Sequence, residues 1–360
     1  MKNEIKPLTG VRGVAACAVM LYHISHIPPF HSFNFFFVSK GYLCVDLFFV
    51  LSGFVMALVY SKTFQNNWTR RDYRNFLFNR IARVFPLHLI MVLFFGLRVL
   101  GMSSPIDFLS NIFMLQGWGF GAKSIVGNSW SVSTEIFAYL VFPFLIAFAF
   151  SRFFAVQVLS SVVLLLCIAA SSLGAKGPLD LTMTDNVLPL IRCVAGFSLG
   201  LIAYRFSHNQ FAIRWFSNNI SVLGSMLLVI GLMIIPKSDV AVVISFSLLI
   251  LSLYYNSRVA SIVFGNRIVH HLGVVSYSLY LWHPFFRDLA GRASLIAENH
   301  GITGFNWLFA LGAIVFSWLA SWLSYVSIEV PGRRALNWYK AQINDPAHQW
   351  IPRFAGRKTD

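Results

Sequence analysis

Residues 8–23 read LTGVRGVAACAVMLYH. Ten uncharged residues separate Arg12 from His23, so the stretch has the apolarity of a membrane helix yet opens on a guanidinium and carries an imidazole eleven positions later. At about 1.5 Å per residue the two lie roughly 16 Å apart along a helix. Arg12 then sits at one membrane interface and His23 well across the bilayer. Runs of roughly 17 to 25 mostly apolar residues span hydrocarbon as helices, because backbone polar groups there must be satisfied internally. Ten such runs are present, at about 8–27, 41–60, 84–101, 135–150, 153–172, 187–204, 218–235, 239–256, 273–291 and 304–327. With 57% hydrophobic residues, 11% charged and a mean hydropathy of +0.68 over 360 residues, the chain is too apolar for an ordinary soluble domain. The expectation is an all-α polytopic membrane protein of about ten transmembrane helices. The first run leads straight into further spans and carries two polar residues, so it reads as a retained helix rather than a cleaved signal.

The net charge of +15 follows topology. With the N-terminus inside, 20 Lys and Arg fall on the cytoplasmic side and 6 outside, which leaves Arg98 and Arg192 within spans. This is the positive-inside bias for ten helices with both termini cytoplasmic, and nucleic-acid binding is not needed to explain the charge. Cys17, Cys44, Cys167 and Cys193 show no paired spacing and read as small buried apolar residues. No repeat or second domain is evident: residues 1–334 read as one transmembrane domain and 335–360 as a basic cytoplasmic tail.

Polar groups within spans are costly, so they are the first functional candidates. Arg12 reads either as a snorkelling anchor or as a ligand-facing cation, and His23 either as a helix contact or as a base. In GYLCVDLFFVLSGFVMAL (41–58), Asp46 lies at the depth of His23, where a carboxylate can orient an imidazole. Ser52 and Gly53 fit close helix approach. In RNFLFNRIARVFPLHL (74–89), Arg80 and Arg83 share a helical face suited either to phosphate oxygens or to anionic lipid, while His88 reads as structural. In GNSWSVSTEIFAYLVFPF (127–144), Ser131 and Ser133 read as caps and Glu135 sits near the outer boundary. Three spans thus bring an imidazole and two carboxylates to one expected level. LGVVSYSLYLWHPFF (272–286) sets Ser276, Tyr277, Tyr280, Trp282 and His283 on one span, as packing or as the lining for a sugar or thioester.

Taken in order, GVRGVAACAVMLYH, GYLCVDLFFVLSGFVMAL, RIARVFPLHL, WSVSTEIFAYLVFP, LGVVSYSLYLWHPFF and IEVPGRR resemble the acyltransferase-3 family of bacterial integral-membrane O-acyltransferases, from Leu8 to Arg334. The resemblance implies a multi-pass enzyme of the bacterial inner membrane that moves an acyl group, usually acetyl, from cytoplasmic acyl-CoA to a carbohydrate hydroxyl, with no metal. The family's arginine and histidine separated by ten residues correspond to Arg12 and His23, its arginine pair to Arg80 and Arg83, and its serine-glycine-phenylalanine element to Ser52, Gly53 and Phe54. Two positions depart: Glu135 is followed by Ile136 where relatives carry a second acid, and FPLH replaces a tyrosine-bearing segment. The chain also ends without the extracytoplasmic domain of some relatives, so transfer to the final acceptor is expected to be direct or to need a separate partner.

The expected catalytic residues are His23 as base with Asp46 and Glu135. Arg12, Arg80 and Arg83 are expected to hold the acyl-CoA donor, and Ser131, Tyr277, Trp282 and His283 the substrate. An exopolysaccharide, O-antigen, glucan or lipid-linked oligosaccharide would serve as acceptor. The alternative is a multispanning transporter or flippase of a glycan or lipid-linked precursor, which would need no donor. A membrane glycosyltransferase is disfavoured because Asp107 is the only acid in 102–134.

Overall fold

A computed structural model describes residues 4–25, 38–65, 67–98, 104–171, 173, 177–181 and 185–344. The described residues form helices and connecting turns, with no strand among them. In order these are α1 (Lys6–Ser25), α2 (Cys44–Phe64), α3 (Arg70–Arg98), α4 (Pro105–Ile112), α5 (Trp130–Phe150), α6 (Phe154–Ala170) and α7 (Leu188–Phe206). They continue as α8 (Gln210–Phe216), α9 (Asn219–Ile234), α10 (Asp239–Tyr254), α11 (Arg258–Val263), α12 (Arg267–Val274), α13 (Ser276–Asn299), α14 (Asn306–Ser324) and α15 (Val330–Asn344).

A helix covers most of each of the ten apolar stretches. Among the described residues, six helical segments are long and apolar enough to cross a membrane, or up to seven if α8 and α9, bent by 82°, make one span. The remaining stretches fall short for visible reasons. α6 and α10 have 17 and 16 residues, and α13 carries Arg287, Asp288, Arg292 and Glu298 in its second half. The protein is a multi-pass membrane protein on this pattern of helices. At the C-terminus, α14 runs through a π turn at Tyr325–Glu329 into α15, so the 334/335 boundary falls inside a helix rather than at the start of a tail. Residues 345–360 lie outside the described residues.

In lipid there is little hydrophobic drive to bring helices together, so close packing and polar contacts must do it. The seam of α2 and α7 shows how. A Cβ at Gly53 would lie 2.0 Å from the carbonyl oxygen of Phe197, and one at Gly200 would lie 1.9 Å from that of Val50. Backbone therefore meets backbone, as expected for Gly53. Phe54, Phe142 and Phe197 fill the buried volume around that seam.

The segment between α3 and α5 is tied by local polar bonds. Asp107 closes a capping box with Ser104 and accepts the amide of Lys123 at 2.7 Å. Burial raises the pKa of this carboxyl, but the amide bonds from Lys123 and Ser104, with the Ser104 hydroxyl, outweigh it and hold the group below its ordinary value. His88 meets the carbonyl of Asn111 at 2.8 Å, the structural role expected of it. Ser133 does not cap α5; its hydroxyl donates to Met114 O at 2.6 Å. Cys44 and Cys193 are buried, Cys17 is half-buried, and Cys167 departs from expectation by facing outwards.

Candidate active site

His23 ends α1 next to α13. Its Nδ1 lies 3.1 Å from Nε2 of His283, and the two rings stack with centroids 5.1 Å apart. Hydrogen-bond logic fixes the protons. His283 Nδ1 is 3.1 Å from Leu279 O, and a carbonyl can only accept, so Nδ1 carries hydrogen. In a neutral ring the single lone pair is then on Nε2, and Asn128 Nδ2 at 2.9 Å and His23 Nδ1 at 3.1 Å share it. A His23 that donates from Nδ1 carries its own lone pair on Nε2. His283, expected at the substrate, is fully buried with both ring nitrogens engaged and lies against His23.

Asp46, expected at His23, pairs with an arginine. Its Oδ1 accepts Arg192 Nε at 2.8 Å and its Oδ2 accepts Arg192 Nη2 at 2.5 Å, with Asp46 0% and Arg192 1% exposed. Both carboxylate oxygens bond the fork of a guanidinium. The structure thus brings Asp46 to Arg192, rather than to His23 as expected.

Glu135 belongs to a different level from the one expected. It accepts from the hydroxyl of Ser52 and, at 2.5 Å, from that of Tyr139. Ser52 is six residues beyond Asp46 on α2, roughly 9 Å deeper along the helix. There Glu135 borders two small cavities. One of about 50 Å³ also touches Arg12, Ser52, Ser131, Tyr277 and Tyr280. The other, about 40 Å³, touches Arg12, Ser52, Arg80, Arg83 and Tyr139. A wider vestibule of about 470 Å³ opens beside the start of α1, with Glu4, Arg12, Arg83, Glu329 and Arg333 among its walls. Arg12 lines all three, so the cavities form a series around its side chain.

Arg12, Arg80 and Arg83 share that series with no carboxylate at ion-pair distance among the described residues. The Nε atoms of Arg12 and Arg80 are buried without a hydrogen-bond partner. Arg80 Nη2 donates to the Tyr60 hydroxyl at 3.4 Å, a weak contact. Clustered guanidinium groups that make no direct salt bridge suit a polyanion such as a phosphorylated ligand.

At the other end of the series, Ser131 and Tyr280 hydroxyls are 2.8 Å apart and both meet the carbonyl of Asn128. Asn128 in turn donates to His283. A polar path thus links the cavity wall to the histidine pair. Tyr277 lines the cavity while donating to Val84 O at 2.8 Å. Trp282 does not reach the series; its Nε1 donates to Ser324 at 2.7 Å and staples α13 to α14. Sequence reasoning missed Asn128 and Arg192. Arg192 had one signal, a lone cation inside an apolar run. Among the described residues no three His, Cys, Asp or Glu side chains cluster as a metal site.

This arrangement is that of an all-helical, multi-pass protein with a paired imidazole beyond a cationic channel. Residues 5–326 match the family model described as an acyltransferase domain (Acyl_transf_3), and the chain belongs to that family of enzymes. It is 27% identical over 156 residues to "Putative peptidoglycan O-acetyltransferase YrhL" of Bacillus subtilis (strain 168), covering 39% of this chain and 23% of that protein. With "Acyltransferase MdmB" of Streptomyces mycarofaciens it shares 30% identity over 159 residues, 39% of this chain and 38% of that one. A longer match, 22% identical over 382 residues, is to "Putative O-acetyltransferase SACOL0978" of Staphylococcus aureus (strain COL), covering 94% of this chain and 59% of that protein. The chain spans less than two thirds of the length of each of these relatives. No solved structure matches it.

Proposed function

We propose that this acyltransferase is an O-acetyltransferase of the bacterial inner membrane, with ten spans and both termini cytoplasmic, that uses cytoplasmic acetyl-CoA to acylate a hydroxyl of an exported or cell-surface carbohydrate. The observation that carries this reading is the cavity series, which starts among unpaired guanidiniums and ends at hydroxyls bonded to Asn128, the partner of His283. The printed names of the Bacillus and Staphylococcus relatives, O-acetyltransferases with a peptidoglycan acceptor in the first, support the acetyl group and the glycan.

In this scheme the donor's phosphates rest against Arg12, Arg80, Arg83 and Arg333, since guanidinium forks match phosphate oxygens. The thioester arm runs along α1 toward His23. His23 Nε2 takes the proton of the acceptor hydroxyl while that oxygen attacks the thioester carbonyl. The hydroxyl of Ser131 or Tyr280 turns from the Asn128 carbonyl to donate to the negative charge developing on the carbonyl oxygen. The C–S bond then breaks, and the departing thiolate takes the proton from His23. Glu135, held by Ser52 and Tyr139, sets the charge at the neck between the arginines and the reacting carbonyl.

The test is His23→Ala, assayed for transfer of labelled acetyl from acetyl-CoA to membrane glycans after insertion has been verified. Loss of a general base lowers turnover by about 10²- to 10⁴-fold. Near-normal turnover would overturn the scheme.

A further inference from the structure

Two rings touch the imidazole of His23. His283 stacks on it at 24° with centroids 5.1 Å apart, and Tyr22 meets it edge-on at 67° with centroids 5.2 Å apart. Successive residues of a helix point about 100° apart, so Tyr22 turns toward a different part of the bundle from its neighbour. There its ring lies 5.5 Å from that of Tyr42, and its hydroxyl donates to Asp180 Oδ2 at 3.0 Å, across 158 residues. Tyr22 is 4% and Asp180 6% exposed, so the bond is out of reach of solvent.

Asp180 is placed by a short segment, 177–181, that is fastened to three helices. Leu179 N donates to Asp239 Oδ2 at 3.0 Å at the start of α10, Arg192 Nη1 on α7 donates to Leu181 O at 3.4 Å, and Tyr22 on α1 donates to Asp180 itself. Gly177 seats the segment closely: a Cβ there would lie 1.8 Å from the Tyr42 hydroxyl, which donates to Asp239 at 2.6 Å. Asp180 makes no salt bridge among the described residues. A buried carboxylate is costly, and here it is set against a phenol where an apolar ring would serve packing alone. What the carboxylate adds is direction, because a charge-assisted hydrogen bond fixes where the phenol lies.

We propose that Tyr22 and Asp180 are positioning residues for His23. The carboxylate holds the phenol, and the phenol ring holds the imidazole where its Nδ1 meets His283. The role rests on the acyl-transfer reading above, in which His23 Nε2 takes the acceptor's proton. The carboxylate that serves His23 is then Asp180, acting through Tyr22, while Asp46 is engaged by Arg192.

The test reads geometry and turnover separately on the purified full chain. Without donor or acceptor, the proton between His23 Nδ1 and His283 Nε2 is expected to give a downfield NMR signal on a labelled histidine nitrogen, assigned by its loss in His23→Ala. Tyr22→Phe keeps the ring and removes the hydroxyl. The signal is expected to vanish in this variant, with kcat falling about tenfold, the worth of one hydrogen bond to a charged acceptor, and KM for acetyl-CoA level. Asp180→Ala should behave in the same way, and Asp180→Asn, which still offers an acceptor oxygen, should restore most of both readouts. Wild-type signal and kcat in Tyr22→Phe, even with lowered thermal stability, would reduce the pair to packing and overturn the proposal, as would absence of the signal from wild type. A lost signal with level kcat would fault the transfer scheme and leave the clamp standing. Should Tyr22→Phe fail to fold, the contrast between Asp180→Ala and Asp180→Asn decides.

Discussion

Arg192 and the trio of Arg12, Arg80 and Arg83 are the same residue type in the same bundle, in opposite circumstances. Arg192 is wholly buried and gives both ends of its fork to Asp46. The trio lines the cavities around Arg12 and makes no salt bridge among the described residues. A buried guanidinium with a bidentate partner serves the fold, because its charge is already spent. One that lines a void without a partner carries an uncompensated charge, which a ligand has to balance. The same contrast sorts the acids: Asp46 is consumed by structure, whereas Glu135 stands at the channel.

The largest expected effect is on the structural side. Arg192→Leu leaves the Asp46 carboxylate buried and unpaired, at a cost of about 3–5 kcal/mol. Thermal unfolding in detergent should show it. Arg192→Leu combined with Asp46→Leu removes both charges and is expected to recover most of the loss. A single variant as stable as wild type would break the comparison.

The next effect has the opposite signature. Arg83→Gln removes a guanidinium that has two like-charged neighbours and no salt bridge among the described residues, so stability should hold or rise slightly. Donor binding should weaken by about 10- to 100-fold, the loss of one charge-assisted contact worth roughly 1.5–3 kcal/mol. Acetyl-CoA titration of the variant, with unfolding measured in parallel, separates the two. A loss of stability with unchanged affinity would move Arg83 into the class of Arg192.

A smaller effect is expected at Asn128. Asn128→Ala removes one hydrogen bond to His283 Nε2, worth about 1 kcal/mol, so turnover should fall roughly fivefold. Donor affinity is expected to stay unchanged, since Asn128 lies beyond the arginines. A kcat that stays level while KM rises would place Asn128 on the binding side instead.

What the sequence shows and what it hides follow from chain separation. Arg12 and His23 lie on one helix, so their spacing alone orders them along the membrane normal. Arg80 and Arg83 are legible for the same reason. The pairs that settle the site are not local: Asp46 meets Arg192 across 146 residues and His23 meets His283 across 260. Depth of residue gives no azimuth, so Asp46 reads as a neighbour of His23 until its helix is seen to turn the carboxylate toward α7. Glu135 was misplaced by a boundary. The hydropathy of 127–134 reads as loop, yet the helix begins at Trp130, which sinks Glu135 into its second turn. Polar residues such as Ser131 and Ser133 hide a helical start when their partners come from α13 and the segment between α3 and α5.

Asp107 extends the contrast to a carboxylate held by amides rather than by a guanidinium. Its pKa is held down in the folded protein chiefly by the amides of Lys123 and Ser104, against the upward push of burial. The sign follows: a group with a depressed folded pKa adds stability above its unfolded value, near 3.9, and that stability is lost as pH falls through the folded value. Acidification below about pH 4 should therefore loosen the segment between α3 and α5 in wild type. Asp107→Asn keeps an acceptor oxygen but loses the charge, so it should start less stable by about 1 kcal/mol and show a flatter acid limb. Amide hydrogen exchange at Lys123, whose N–H Asp107 accepts at 2.7 Å, reports this directly. An identical acid limb in the two proteins would show that the amides, not the charge, hold the segment, and would leave Asp46 and Arg192 as a pair whose logic does not carry over to the outer surface.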